Sequence, residues 1–344
     1  MKLGKAFLIG CVAALSLLPS AAVCQDLNIG VLANRGKVAA LKEWKATADY
    51  LSAHTGRTFT IVALDYDQLP GATRDKQIDF VLTNSAMYAE YNKLYGIEAI
   101  ATQVNQHQGQ PLDKFSSTIV VKANSPIANL SDLKNKDFAC ASRSAFGGWL
   151  MTVRLLLENG IDPNRDLKSL RELKTHDNVI WAVLNGAVAA GSVRTGILEK
   201  MIQEGKIKAT DLKLVHQEND GFPLLHSTQL YAEYPFAACR HVPPELKNAV
   251  AKALIEIKPS DKAALDTKII GWKEPLDYAP VVECLVAIKY GAFGKNAQAP
   301  VPAPASTQAP AQAQAKEAEN SNTTSIGPLE QKPPVRTSKG RGSN

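Results

Sequence analysis

The sequence has 344 residues, of which 45% are hydrophobic and 21% charged, and its formal net charge is +6. Most of this charge lies at the two ends, with two lysines among the first 24 residues and six Lys or Arg against three Glu after residue 294. The body between the ends therefore carries a net charge of about +1, which argues against nucleic acid as a partner.

The first 24 residues have the pattern of a secretory signal peptide. Two lysines precede an apolar run at 6–18, and the segment ends in Ala22-Val23-Cys24. Small residues at the positions that signal peptidase reads predict cleavage before Gln25 and a periplasmic protein. Lipid anchoring at Cys24 is the less favoured alternative, because Val23 is larger than the residue that usually precedes a lipidated cysteine.

The body, residues 25–294, is long enough for two lobes. Its first part alternates strands and helices, with β runs at 27–32, 59–64 and 77–82 and helical patterns at 38–54 and from residue 85. This alternation predicts an α/β fold with a mostly parallel sheet that is covered on both faces. Ligands of such sheets bind beyond the carboxyl ends of the strands, where Arg35 and Thr83-Asn84 fall.

A β run at 117–122 leads into a second alternation of strands and helices, which indicates that the chain crosses into a second lobe. The expected elements there are strands at 138–141, 189–193 and 211–216 and helices from 145 and over 178–185. The chain then crosses back through a buried run at 234–238, and helices over 243–255 and 279–287 close the first lobe. We therefore predict lobe 1 at 25–118 plus 230–294, lobe 2 at 119–229, and a ligand cleft between them.

The segment that follows the predicted strand at 138–141 has the layout of an anion-binding helix start. Ser142 and Ser144 supply hydroxyl donors, and Gly147 and Gly148 let a ligand approach the backbone closely. The first turn of a helix has unpaired N–H groups and partial positive charge, so it can hold an oxyanion without a basic side chain. Helix capping by the two serines is the alternative.

Other candidate residues each have a functional and a structural interpretation. His176 contacts the ligand or helps to cap a helix. Arg194 offers a planar fork for an oxyanion, or else is a solvated charge or an interlobe ion pair. Arg35 points into the cleft or adds surface charge to a loop. Ser227 and Thr228, just before the second crossing, contact the ligand or shape the hinge.

The cysteines of the body, Cys140, Cys239 and Cys284, form no CxxC pair and have no metal-ligand spacing. Export permits a disulfide, but an odd number leaves at least one thiol unpaired. We expect small buried residues, with one bridge as the alternative. Because the common hydrolase, zinc-protease and phosphate-loop motifs are missing, we expect no catalytic residue, metal or cofactor.

Residues 295–344 have the composition of a disordered tail. They contain no aromatic residue and repeat Ala, Pro and Gln, as in the run at 299–304. Such a segment buries too little apolar surface to offset the entropy lost on ordering. A spacer or cell-wall tether is the functional alternative.

Seven segments, taken in order, resemble the phosphate/phosphite/phosphonate-binding periplasmic proteins of ABC transporters. They are closest to the periplasmic sensor domains of tetrathionate-sensor-type histidine kinases. The segments are 29–37, 44–51, 79–84, 141–149, 193–199, 231–236 and 276–281. The resemblance implies a two-lobed type 2 periplasmic binding protein fold that closes on a ligand at the interlobe cleft.

The same resemblance implies a set of ligand-binding residues from both lobes. These are Ser142, Ser144 and His176 of lobe 2, Thr83, Asn84 and Tyr88 of lobe 1, and Arg194 and Thr195 of the sensor-like pattern. Arg143 interrupts the consecutive hydroxyl residues of the transporter proteins, so a phosphonate-like anion and a sulfur oxyanion fit about equally well.

The sequence therefore predicts a non-enzymatic, monomeric solute-binding protein for a small phosphonate-, phosphite- or phosphate-like or sulfur oxyanion. Binding is expected to close the lobes, and the closed form is expected to serve an ABC permease at the membrane. A stand-alone sensor subunit that presents the anion to a histidine kinase is the alternative. An extracytoplasmic enzyme or a cell-wall interaction protein is less favoured.

Overall fold

A computed structural model describes residues 26–294, and the predicted signal peptide and tail lie outside the described residues. The strands are β1 (Leu27–Leu32), β2 (Phe59–Leu64), β3 (Phe80–Leu82), β4 (Glu98–His107), β5 (Gln110–Leu112), β6 (Lys114–Phe115), β7 (Ser117–Lys122), β8 (Asp137–Cys140), β9 (Ser169–Glu172), β10 (Ala190–Arg194), β11 (Leu212–Leu214), β12 (Tyr231–Ala232), β13 (Pro235–Ala238) and β14 (Ile269–Lys273).

The α-helices are α1 (Lys37–Thr55), α2 (Leu69–Arg74), α3 (Ser85–Tyr95), α4 (Met151–Glu158), α5 (Pro163–Asp166), α6 (His176–Leu184), α7 (Ile197–Gln203), α8 (Pro244–Ile255), α9 (Lys262–Thr267) and α10 (Ala279–Ala287). Short helical turns lie at Leu130–Leu133, Phe146–Leu150 and Gly291–Phe293. In the part of the chain that the structure describes, none of the helices combines the length and the apolar character needed to cross a membrane.

The first sheet has the strand order β14-β4-β13-β3-β1-β2, and β5 pairs with β4. β1 is parallel to β2 and β3, whereas β13 is antiparallel to β3 and β4, and β14 and β5 are antiparallel to β4. The prediction of a mostly parallel sheet was therefore wrong. The sheet is mixed because the returning strands β13 and β14, together with β5, run against the initial βαβ unit, whereas β4 runs in the same direction as that unit.

The second sheet has the order β11-β7-β10-β8-β9 and carries α6 on one face. β7 pairs antiparallel with β10 from Ser117 opposite Arg194 to Val121 opposite Ala190. Buried Val179, Ile180 and Val183 of α6 belong to the apolar core of this lobe. This register brings Arg194 to the end of its strand, next to the crossing between the sheets.

The two crossings between the sheets run side by side as an antiparallel ribbon of β6 and β12. The hydroxyl of Ser116 lies 2.5 Å from the carbonyl oxygen of Thr228, and the amide of Ile119 donates to the hydroxyl of Ser227 at 3.1 Å. Thr228 thus contacts Ser116 at the crossing, whereas Ser227 contacts β7 of the second sheet. The predicted two-lobed α/β architecture is confirmed, while the exact residues that bound the lobes stay a prediction.

The three cysteines of residues 26–294 are all buried and form no disulfide. Burial raises the pKa of the Cys140 and Cys239 thiols to about 12. These are small core residues, as the preferred interpretation of the sequence expected.

Candidate functional site

The loop after β1 meets the start of α6 where the lobes face each other. The backbone amide of His176 donates to the carbonyl oxygen of Asn34 at 3.3 Å. Helix α6 begins here because the Thr175 hydroxyl accepts the amide of Asn178 at 3.2 Å and so caps the first turn. The cap holds the His176 side chain between the lobes, where it is 1% exposed.

The imidazole of His176 is buried next to the glycines of the 142–148 turn. Its Nδ1 has no hydrogen-bond partner among the described residues. Burial, helped by the charges of Arg194 and Arg35, lowers the pKa of His176 to about 3, so the ring is neutral at physiological pH. An unsatisfied buried polar atom costs roughly 1–3 kcal/mol. A ligand that hydrogen-bonds to Nδ1 can recover that cost.

The turn that carries the two predicted serines is ordered by its own hydroxyl groups. The amide of Ser144 donates to the Ser142 hydroxyl oxygen at 3.2 Å, and the two hydroxyls lie 3.0 Å apart. The carboxylate of Glu172 also accepts the Arg143 amide at 2.8 Å. Both the amide and the guanidinium of Arg143 thus donate to Glu172, while the two serine hydroxyls contact each other.

The helix expected from residue 145 begins instead with a π-helical turn over Phe146–Leu150, followed by α4. The amide of Leu150 donates to the carbonyl of Ala145 at 3.1 Å, which is the i to i+5 pattern of a π turn. A Cβ on Gly148 would lie 2.6 Å from the His176 ring, and one on Gly147 would lie 3.0 Å from Phe115. The missing side chains of the two glycines therefore leave room for His176 and Phe115 to pack against the turn.

The first-lobe residues Thr83, Asn84 and Tyr88 play different parts. Asn84 caps α3 and also donates from Nδ2 to the Ser144 carbonyl oxygen at 3.3 Å, so it reaches the second lobe. Thr83 is buried and donates to Met87 Sδ at 3.4 Å. The Tyr88 hydroxyl accepts an amide of β4 at 3.3 Å, within the first lobe. Of the three, Asn84 contacts the serine turn.

Arg194 is paired with a buried carboxylate from the other lobe. Its Nη2 donates to Glu233, and the guanidinium lies 5.2 Å from the ring centre of Tyr234 and 5.0 Å from that of Phe115. Burial alone would lower the pKa of Arg194, but Glu233 and Tyr234 outweigh it and raise that pKa. Thr195 is buried and its hydroxyl accepts the Ser116 amide at 3.2 Å, which is a hinge contact.

Arg35 forms an ion-pair cluster across the mouth of the cleft. Its guanidinium donates twice to Asp177 at 2.8 Å and twice to Glu204 at 3.0 and 2.9 Å, and Lys206 pairs with both carboxylates. We call Arg35, Asp177, Glu204 and Lys206 the rim network. Hydrogen bonds from Arg35 lower the pKa of Glu204 to about 2.

Four of the nine predicted ligand-binding residues line one of two cavities, and the other five line neither. A cleft of about 690 Å³ is lined by Asn34, Arg35, Arg194 and Tyr234. A recess of about 460 Å³ is lined by Ser142, Ser144, Tyr66 and Tyr290. His176 contacts the Asn34 side through its amide and the serine turn through its ring.

Sequence reasoning missed Glu233, Tyr234 and Asn34 as individual site residues. The Tyr234 hydroxyl accepts Asn34 Nδ2 at 3.4 Å, which links the second crossing to the loop after β1. The available signal was an acidic residue inside an otherwise apolar run at 231–238. Among the described residues, no group of His, Cys, Asp and Glu side chains is arranged to hold a metal ion.

Residues 29–279 match the family described as the periplasmic substrate-binding protein of the phosphonate ABC transporter. The chain is 31% identical over 244 residues to the tetrathionate sensor histidine kinase TtrS of Salmonella typhimurium. This match covers 70% of the chain but 41% of TtrS, so the chain corresponds to less than half of that relative.

Two solved structures have the same fold at 17% sequence identity. PhnD1 of Prochlorococcus marinus, in complex with methylphosphonate, matches with a TM-score of 0.63 over 76% of this chain and 97% of PhnD1. A binding protein component of an ABC phosphonate transporter from Pseudomonas aeruginosa matches with a TM-score of 0.66 over 77% of this chain and 86% of that chain. The fold is the two-lobed type 2 periplasmic binding fold.

Proposed function

The chain belongs to the phosphonate-binding family of periplasmic substrate-binding proteins of ABC transporters, and we propose that it binds a small oxyanion between its lobes. It then presents the bound anion to an ABC permease as a monomer. Proteins of this family are extracytoplasmic binding proteins, and the predicted signal peptide at 1–24 provides the route of export. Binding, with no chemical step, is the whole of the proposed activity.

The observation that carries the proposal is the buried, unpaired Nδ1 of His176. A polar atom without a partner is rare inside a protein and needs an explanation. The Arg194 guanidinium lines the cleft, and the serine hydroxyls line the neighbouring recess, with Asn84 bonded to their turn. An oxyanion has enough acceptor sites to pair with several of these donors at once. Ligand contact by the other predicted residues, Thr83, Tyr88, Thr195 and Arg35, is part of the same proposal.

Closure of the lobes is the proposed signal to the partner. The rim network joins the loop after β1 to α6 and α7, and Lys200 pairs with Glu43 of α1 at 2.8 Å. Such pairs exist when the lobes are together, so they stabilise the closed form and lower the free energy that the ligand must supply. The permease then recognises a surface built from both lobes.

A second function is favoured by the similarity to TtrS. In this alternative the chain presents its ligand to a histidine kinase instead of a permease. The ligand would then be a sulfur oxyanion such as tetrathionate, whereas the structure of PhnD1 with methylphosphonate favours a phosphonate. Co-purification with a membrane-bound permease or with a kinase distinguishes the two.

A thermal-shift screen tests the proposed function. The panel is phosphate, phosphite, methylphosphonate, sulfate, thiosulfate and tetrathionate. A ligand at a thousand times its Kd stabilises the native state by about 4 kcal/mol, which is several degrees in Tm. His176→Ala should abolish the shift, and the matched control His241→Ala, in a histidine that pairs with Asp79 on the surface, should retain it. Absence of a shift with every panel member would contradict the proposal.

A further inference from the structure

Glu233 is a buried acid that no ligand-binding role has yet explained. It is 1% exposed and follows β12 at the junction of the lobes. Its Oε1 accepts from Arg194 and, at 2.6 Å, from Asn105 Nδ2, while its Oε2 accepts the Tyr234 amide at 3.0 Å. Both oxygens are thus engaged, and the carboxylate is held against the guanidinium that faces the cleft.

The cations that face the cleft from both lobes are matched by carboxylates. The pairs are Arg194 with Glu233, Arg35 with Asp177 and Glu204, and Lys200 with Glu43. The other charged or titratable groups that line the cleft or face Arg194 are His107, Glu199, Lys268, Tyr66, Tyr234 and the neutral His176. Glu199 and Lys268 carry opposite charges. The side chains that line the cleft, taken with their ion-pair partners, therefore supply almost no net positive charge.

The remaining attraction for an anion comes from the backbone. The start of α6 carries roughly half a positive charge from its aligned peptide dipoles. That potential suits one negative charge, and a second charge beside Arg194 meets a guanidinium that Glu233 has already neutralised. The neutral imidazole of His176 adds no positive charge for a second negative charge on the ligand. Its Nδ1 donates a hydrogen bond in one tautomer and accepts one in the other.

We propose that Glu233 sets the charge of the ligand, so that the site takes an oxyanion group with a single negative charge and rejects the doubly charged form. Sulfonates and singly protonated phosphonates belong to the accepted class. This inference rests on the proposed function and narrows its ligand class. The cleft next to Arg194 leaves room for whatever the anionic group is attached to.

Calorimetric titration with two probes of the same shape tests the proposal. Methanesulfonate keeps one charge at all working pH values, whereas methylphosphonate changes from one to two charges near neutrality. Above its second ionisation, methylphosphonate should bind about tenfold more weakly for each pH unit, while methanesulfonate affinity stays constant. Both probes contact the same side chains, so any effect of protein titration on affinity cancels in the ratio of the two affinities.

Glu233→Gln keeps the shape of the side chain and frees the charge of Arg194. In this variant the dianion should bind at least tenfold more tightly than in the wild type, and the fall with pH should disappear. The double variant Arg194→Gln with Glu233→Gln restores the wild-type charge balance, so its affinity for methylphosphonate should still fall as the pH rises. It should bind both probes more weakly than the wild type, because the guanidinium is lost. Glu98→Gln, an exposed partner of Lys247, controls for the change in net charge.

Equal or tighter binding of methylphosphonate at high pH in the wild type would overturn the charge rule and leave oxyanion binding intact. An unchanged pH dependence in folded Glu233→Gln would overturn the role of Glu233. If Glu233→Gln does not fold, the two wild-type titrations alone decide. Failure of both probes to bind at any pH would contradict the proposed function, and this inference would fall with it.

Discussion

Replacing His176 by Asn should remove a large part of the acid sensitivity of the fold. The His176 pKa is lowered from 6.5 to about 3 by burial, so the native state binds its proton far less readily than the unfolded chain does. Between these two pKa values the unfolded state holds more protons, and stability therefore falls as the pH falls from 6.5 towards 3. Asn cannot titrate, so the variant lacks this contribution.

The size of the effect follows from the pKa difference. One pKa unit corresponds to about 1.4 kcal/mol, so the whole window is worth ~5 kcal/mol. Between about pH 7.5 and about pH 5 the unfolded histidine becomes protonated while the buried one stays neutral, and the free energy of unfolding drops by ~2 kcal/mol from this group alone. The loss of stability from His176 is complete near pH 3, where carboxylates also titrate.

Urea unfolding followed by tryptophan fluorescence measures this contribution. The quantity to compare is the change in unfolding free energy between the two pH values, because the introduced asparagine also alters packing at both. The control Val179→Ala perturbs the buried face of the same helix without removing a titrating group, so it should keep the wild-type change. If the wild type and His176→Asn lose the same unfolding free energy between the two pH values, His176 is not a buried histidine with a lowered pKa, and the reasoning fails.

Three further variants test the glycine turn, the rim network and the ligand-binding residues. Gly148→Ala should destabilise the fold by about 1–3 kcal/mol in urea unfolding, because its Cβ has no room, whereas Gly71→Ala, which meets nothing within 4 Å, should be neutral or stabilising. Arg35→Met should weaken ligand binding about tenfold or more in calorimetry, since four hydrogen bonds across the cleft are lost; unchanged affinity would exclude a role in closure. Ser142→Ala combined with Arg194→Ala should abolish ligand-induced stabilisation in a thermal-shift assay, and a retained shift would locate the ligand elsewhere.

Local patterns predicted the elements whose signal lies within their own residues. The observed bounds of β1, β2, β7 and α10 agree with the sequence patterns, because each is an apolar run or an amphipathic stretch with turn residues at its ends. Strand β4 was missed because Glu98–His107 mixes small and polar residues. It is a strand since β13 and β14 pair with it on both sides, which is a property of the whole sheet.

The site was predictable to a similar degree. The turn with Ser142 and the helix start at His176 carry their own sequence signals, and they meet in the structure. The π turn was not predictable from local pattern, since its Gly148 packs against the ring of His176, in a helix that begins 26 residues after the turn ends. The partner of Arg194 could not be found either, because Glu233 is 39 residues away and is brought there by the crossing strands.

The buried thiols make this protein convenient for measuring how far its lobes move. Burial holds the pKa of Cys140 and Cys239 at about 12 and also raises that of Cys284, so these side chains are protonated and poorly reactive at neutral pH. A pair of cysteines introduced on the surface, one in each lobe, can therefore take spin labels or fluorophores without removal of Cys140, Cys239 or Cys284. The distance between such labels, with and without an anion, reports directly on opening and closing in solution.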